Sequence, residues 1–165
     1  DRFAEGLLLT LIEHGPEAIS STDYNARANL MWVATLALNG LIGAGVPQDW
    51  ASHMIGHELT AKYDIDHART LQVRRQSKRG KLLQYAERVW HISIGSEDER
   101  IDAAIAKTRA FFESLELPTR LSAYDIGADA VPAIIAQLKA HGMVAIGEHK
   151  DVTLDVSQRV LEACL

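Results

Sequence analysis

Apolar positions recur at three- and four-residue intervals along most of this chain, and no stretch sustains the strict alternation of a half-buried strand. Phe3, Leu7, Leu8 and Leu11 form one stripe, which predicts a helix from about Arg2 to His14 that Gly15-Pro16 ends. Asn25 to Gly40 is apolar on all sides, the pattern of a central helix surrounded by others. Asp23 or Asn25 is placed to cap it by accepting from its free amide groups. Gly45 to Gln48 reads as a loop, and Asp49 opens a third helix. Leu82 to Trp90 is helical in pattern. Ser96 with Glu99 forms a capping box for a helix to about Leu115, stopped at Leu117-Pro118. A helix from about Val131 is expected to stop at Gly142, its C′ glycine, and a last one runs from Thr153 or Leu154 to Ala163. The predicted class is all-α, with little or no sheet.

Composition narrows the function classes. The chain has 165 residues, enough for one domain with a real core, and its net charge of −5 argues against a dedicated nucleic-acid binder. It opens at Asp1 with no signal peptide ahead. Cys164 is the one cysteine, so no internal disulfide forms, and a reducing cytoplasm is the expected compartment. Ala28 to Gln48 carries no charge, yet Asn29, Thr35 and Asn39 interrupt it and Gly40, Gly43, Gly45 and Pro47 crowd one end. A membrane span needs about 20 predominantly apolar residues. A buried soluble helix fits better.

The candidate chemistry lies in histidines. His53, His57 and His67 fall within fifteen residues. His53 and His57, four apart, place both imidazoles on one helix face. Continuous helix from His53 to His67 would separate those two by about 21 Å, whereas metal-ligand nitrogens lie about 2 Å from one ion. If His67 joins His53 at a metal, the chain must turn between them, and Lys62 to Asp66 is polar enough to do so. His57-Glu58 begins the H-E-x-x-H of metalloproteases, but Ala61 holds the fifth position and that motif fails. Taken singly, a histidine is more often a surface or hydrogen-bonded core residue than a ligand, so the spacing marks a site without naming it.

Two other motifs lead nowhere. Gly40-Leu41-Ile42-Gly43-Ala44-Gly45 has the order G-x-x-G-x-G and follows a helix, whereas the dinucleotide fingerprint follows a strand. Helix termination is its expected role. Arg74 to Lys81 holds five positive charges in eight residues without interleaved aromatics, the pattern of a solvated loop or frayed helix start.

Gly45-Val46-Pro47-Gln48-Asp49-Trp50-Ala51-Ser52-His53-Met54-Ile55-Gly56-His57-Glu58, then Asp66-His67, resembles the iron-containing (group III) alcohol dehydrogenase family. The likeness is greatest to its bacterial NADPH-dependent aldehyde reductase and butanol dehydrogenase members. It continues through Lys81 to Trp90, Leu117 to Ser122 and the last helix. The resemblance implies a C-terminal helical, metal-binding domain over residues 1–165, without the N-terminal dinucleotide-binding domain. It makes His53 and His67 two of four ligands to a divalent metal, iron or zinc, and puts His57 in the catalytic cleft without binding the metal.

The other two family ligands sit in a D-x-x-x-H helix, expected just before Asp1. Asp1-Arg2-Phe3-Ala4-Glu5 ends in glutamate and does not supply it. After His67 the family continues into an apolar helix containing L-P. Here Val73 passes straight into Arg74, several residues short. The implied activity is interconversion of short aldehydes and alcohols with NADP(H) or NAD(H), with the fragment itself inactive. The implied partners are an aldehyde or alcohol substrate, the missing nucleotide-binding domain and a second copy as homodimer, with no nucleic acid or membrane. Two alternatives stay open: a glycerol dehydrogenase-like relative of the same fold, and a helical interaction module whose histidines are incidental.

Overall fold

The Phe3 to Leu11 stripe does lie on the first helix, but that helix does not stop where the sequence predicts. In the computed structural model, which describes residues 1–63 and 78–165, α1 runs from Arg2 to Ser20 straight through Pro16. Proline removes one helical hydrogen bond, here the one to the Ile12 carbonyl, and disfavours the turn before it. Packing overrides it. Gly15 and Ala18 are buried, and the point where a side chain would begin on Gly15 lies 3.3 Å from the Phe111 ring on α5 (Glu97–Ser114). Continuing the helix keeps that turn against α5.

The second expectation needs a larger correction. α2 (Tyr24–Leu38) forms where predicted, and Asp23 caps it by accepting from the Ala26 amide at 2.7 Å. It is not surrounded, however. Ala26 and Val33 are its buried residues, whereas Met31 is 70% exposed, Trp32 62% and Leu38 82%. An apolar helix surface shows that a neighbour is wanted, not that this chain supplies it. Gly40 ends the helix with a left-handed φ of 88°, as the termination reading expects.

The other boundaries follow the sequence closely. α3 spans Ala51–Tyr63, α4 Arg79–Arg88, α6 Ala130–Ala140 and α7 Leu154–Ala163. The Ser96–Glu99 capping box is complete, and Gly142 follows α6 with φ 75°. Sheet among the described residues is one hairpin, β1 (Ala145–Ile146) antiparallel to β2 (Val152–Thr153). Apart from it the described elements are helical, as the all-α class expects. No helix of the described residues is long and apolar enough to cross a membrane.

The helices sort into two compact units. The first holds α1, α2, α4 and α5. Within it the Thr108 hydroxyl donates to the Ala104 carbonyl at 2.8 Å and accepts from the Trp90 indole at 3.0 Å, with Tyr85 Oη 2.8 Å away. Glu5 on α1 is buried and accepts from Gln84 and Arg88 on α4. Much of the described part of the basic stretch is taken up inside this unit. Arg79 donates to Glu97 at 2.7 Å and Asp98 at 2.6 Å, and Lys81 to Asp1 at 2.5 Å. Those carboxylates push the Arg79 guanidinium pKa further up.

The second unit holds α3, α6, the hairpin and α7. Ala51, Ile55 and Leu59, at helical spacing on α3, share one core with Val131, Ile134 and Leu138 of α6 and Val160 and Leu161 of α7. This core fixes which face of α3 turns outward.

Candidate functional site

α3 carries the site. Asp49 caps it by accepting from the Ala51 amide at 3.0 Å, which sets the helix start as the sequence predicts. With Ala51, Ile55 and Leu59 turned into the core, His53 is left half-buried and His57 exposed. Their four-residue spacing brings the rings together: Nε2 of His57 lies 2.7 Å from Nε2 of His53, with ring centroids 4.2 Å apart and planes at 87°. That distance requires one nitrogen to carry a hydrogen and the other to accept it. Trp50, one turn before, packs edge-on against His53 at 5.1 Å.

His67, the other ligand the resemblance implies, lies outside the described residues. Among the described residues no three metal-ligating side chains converge. The donor chemistry present is two imidazoles, which suit a borderline divalent ion such as iron or zinc. His53 therefore fits a ligand role, and the described residues do not complete a shell around it.

One residue beyond His57, the structure brings in a pair that the sequence does not signal. Glu58 is 3% exposed, and its Oε1 sits 2.7 Å from Nδ1 of His141, the residue ending α6. Its Oε2 has no hydrogen-bond partner among the described residues. The two residues stand 83 positions apart. A buried carboxylate needs such a partner, and this one ties α3 to α6 beneath the histidine pair. In the sequence Glu58 figures in the failed H-E-x-x-H pattern and at the end of the family-like segment, and neither points to His141.

A helical domain with imidazoles on one outward helix face is the class this geometry defines, and comparison with known proteins places it. Residues 1–164 match the family model for the C-terminal region of the Fe-containing alcohol dehydrogenase family, and the chain belongs to that family. It is 60% identical over 172 residues to the NADPH-dependent aldehyde reductase YqhD of Escherichia coli, covering 99% of this chain and 44% of that protein. It is 34% identical over 166 residues to NADH-dependent butanol dehydrogenase A of Clostridium acetobutylicum, covering 94% and 43%. The crystal structure of E. coli YqhD superposes with a TM-score of 0.95 at 60% identity, over 100% of this chain and 45% of that one. The chain thus spans less than half the length of these relatives. The 172-residue match to the E. coli protein also exceeds the 165 residues present here, so the relative carries residues without a counterpart.

Proposed function

We propose that this chain is the metal-binding, catalytic half of an NAD(P)H-dependent alcohol dehydrogenase or aldehyde reductase acting on short aldehydes and alcohols. The observation that carries the reading is the outward pair His53–His57 on a helix fixed by the α3–α6–α7 core, in a chain belonging to this family over residues 1–164. His53, with His67, would hold a divalent cation, iron or zinc. When bound, that ion supplies a Lewis acid for the carbonyl oxygen and the nicotinamide supplies the hydride.

The chain's own residues orient and protonate. Asp49 and the apolar face of α3 fix the helix rotation. Trp50 covers one side of His53 and limits the ring's freedom. His57, exposed and within hydrogen-bond reach of His53, can hold a proton on Nε2 and exchange it with a substrate oxygen or water. The nicotinamide site belongs to the N-terminal half that precedes this region in the longer relatives, so the isolated chain has no turnover.

Joining the N-terminal portion of the E. coli relative to Asp1 gives a full-length chimera that tests this. The chimera is expected to oxidise NADPH with butanal, and His57→Phe to lower kcat about 100-fold or more, in the range of general acid–base contributions. Turnover by the isolated chain, or an unchanged kcat in His57→Phe, would overturn the reading.

A further inference from the structure

α2 carries two apolar faces, and the structure uses one. Ala26 and Val33 are buried on the side packed against α1. On another side Tyr24, Ala28, Met31, Thr35 and Leu38 follow one another at intervals of four, three, four and three, the spacing of a helix–helix seam. Trp32 flanks it. Tyr24 is 80% exposed, Met31 70% and Leu38 82%, and a depression of about 480 Å³ opens beside Tyr24, Arg27, Met31 and Trp32. From Ala28 to Gln48 there is no charged residue to make this surface comfortable in water. Large apolar side chains in such a row mark an interaction surface rather than scattered exposure.

We propose that this seam is the docking surface for an apolar helix from the polypeptide that precedes this region in the longer relatives. Three observations select that occupant. The family model matched is the C-terminal one, and more than half of the E. coli relative's length is unmatched. The fold here is kept in the longer E. coli chain, at a TM-score of 0.95, so α2 presents the same surface there. The preceding polypeptide also enters at the right place. α1 and α2 are packed together and joined by the short turn Ser21–Asp23, so they run antiparallel. The start of α1 therefore lies at the Leu38 end of the seam, and a helix leading into Asp1 need only run back along α2. The seam's 4-3-4-3 spacing asks for a helix and its lack of charge asks for an apolar face. The proposal rests on the reading above that a nucleotide-binding half precedes this chain.

Thiol labelling tests it. In a Cys164→Ser background, Met31→Cys is compared with Ile94→Cys, at a position 90% exposed, in the isolated chain and in the chimera. Both thiols should label rapidly in the isolated chain. In the chimera Met31→Cys should slow at least ten-fold while Ile94→Cys is unchanged. Equal labelling of Met31→Cys in both forms would overturn the proposal. So would protection in the isolated chain that grows with its concentration, which would assign the seam to a second copy.

An independent arm needs no chimera. Met31→Glu with Leu38→Glu should leave the isolated chain's Tm within about 2 °C, because those side chains are 70% and 82% exposed; a large fall would mean the face is already filled. If the chimera misfolds, the N-terminal portion is added as a separate polypeptide and the same slowing of Met31→Cys is required. Protection without metal binding in the chimera would fault the catalytic reading and leave the docking surface standing.

Discussion

Truncating His141 should destabilise this chain more than replacing the buried Glu58 outright. The carboxylate of Glu58 is buried, its Oε1 is held by His141 at 2.7 Å, and its Oε2 has no hydrogen-bond partner among the described residues. His141→Ala leaves a buried carboxylate with neither oxygen supported. Where both partners are charged and fully buried, breaking one side of such a pair costs about 3–5 kcal/mol. The His141 side chain is 56% exposed, so its removal admits water and lowers the cost to about 2–3 kcal/mol.

Glu58→Met removes the charge, fills a similar volume and leaves His141 free to turn to solvent. Apolar replacement of a buried charge is often neutral, so a change within about 1 kcal/mol is expected. For a chain of this size each kcal/mol shifts Tm by about 2–4 °C. Thermal unfolding followed by circular dichroism should show His141→Ala lower by about 4–12 °C and Glu58→Met within about 4 °C of the parent. Glu58→Met falling further than His141→Ala would refute the reasoning, since the carboxylate would then be a net source of stability.

Three further outcomes follow from the packing and the charges. Ile55, 1% exposed in the core beneath the histidine pair, should cost about 2–5 kcal/mol as Ile55→Ala in urea unfolding; a loss under 1 kcal/mol would mean α3 is not anchored there. Ser96→Ala removes one half of the α5 capping box and should cost about 1 kcal/mol, read by the same assay. Burial alone would raise the Glu5 pKa, but hydrogen bonds from Gln84 and Arg88, with the charges of Arg88 and Arg2, outweigh it and hold the folded value below the ordinary 4.5. A depressed folded pKa stabilises above the unfolded value and is lost as pH falls through the folded one. The stability difference between parent and Glu5→Gln, by urea titration from pH 7 down to pH 2, should therefore shrink below about pH 4.5, and a constant difference would count against the ion pairs.

What the sequence made legible is what local chemistry controls. The Ser96–Glu99 box, the α2 cap (Asp23, of the two candidates Asp23 and Asn25), the helix start at Asp49 and the Gly142 stop each act within one turn, and each appears where the sequence places it. The His53–His57 contact is of the same kind, because four-residue spacing on a helix suffices to bring two rings together. The misreadings involve distant partners. Gly15-Pro16 carries a strong local stop signal, and it is packing of Gly15 against Phe111 and Leu115, far along the chain, that accounts for the continuation of α1. The Glu58–His141 pair spans 83 positions and has no local mark at all. For α2 the all-round apolar pattern predicts burial on every side, and Met31, Trp32 and Leu38 are exposed instead, because a local pattern does not say which polypeptide covers a face.

His53 and His67 are proposed to hold a metal beside a non-ligating His57. This is tested most directly by metal content per chain in the purified chimera, measured by elemental analysis after growth with iron and with zinc. About one divalent ion per chain is expected in the parent and in His57→Phe, falling at least ten-fold in His53→Ala and in His67→Ala, since losing even a group that only supports a ligand costs about 10–100-fold in affinity. Full metal content in His53→Ala would contradict it.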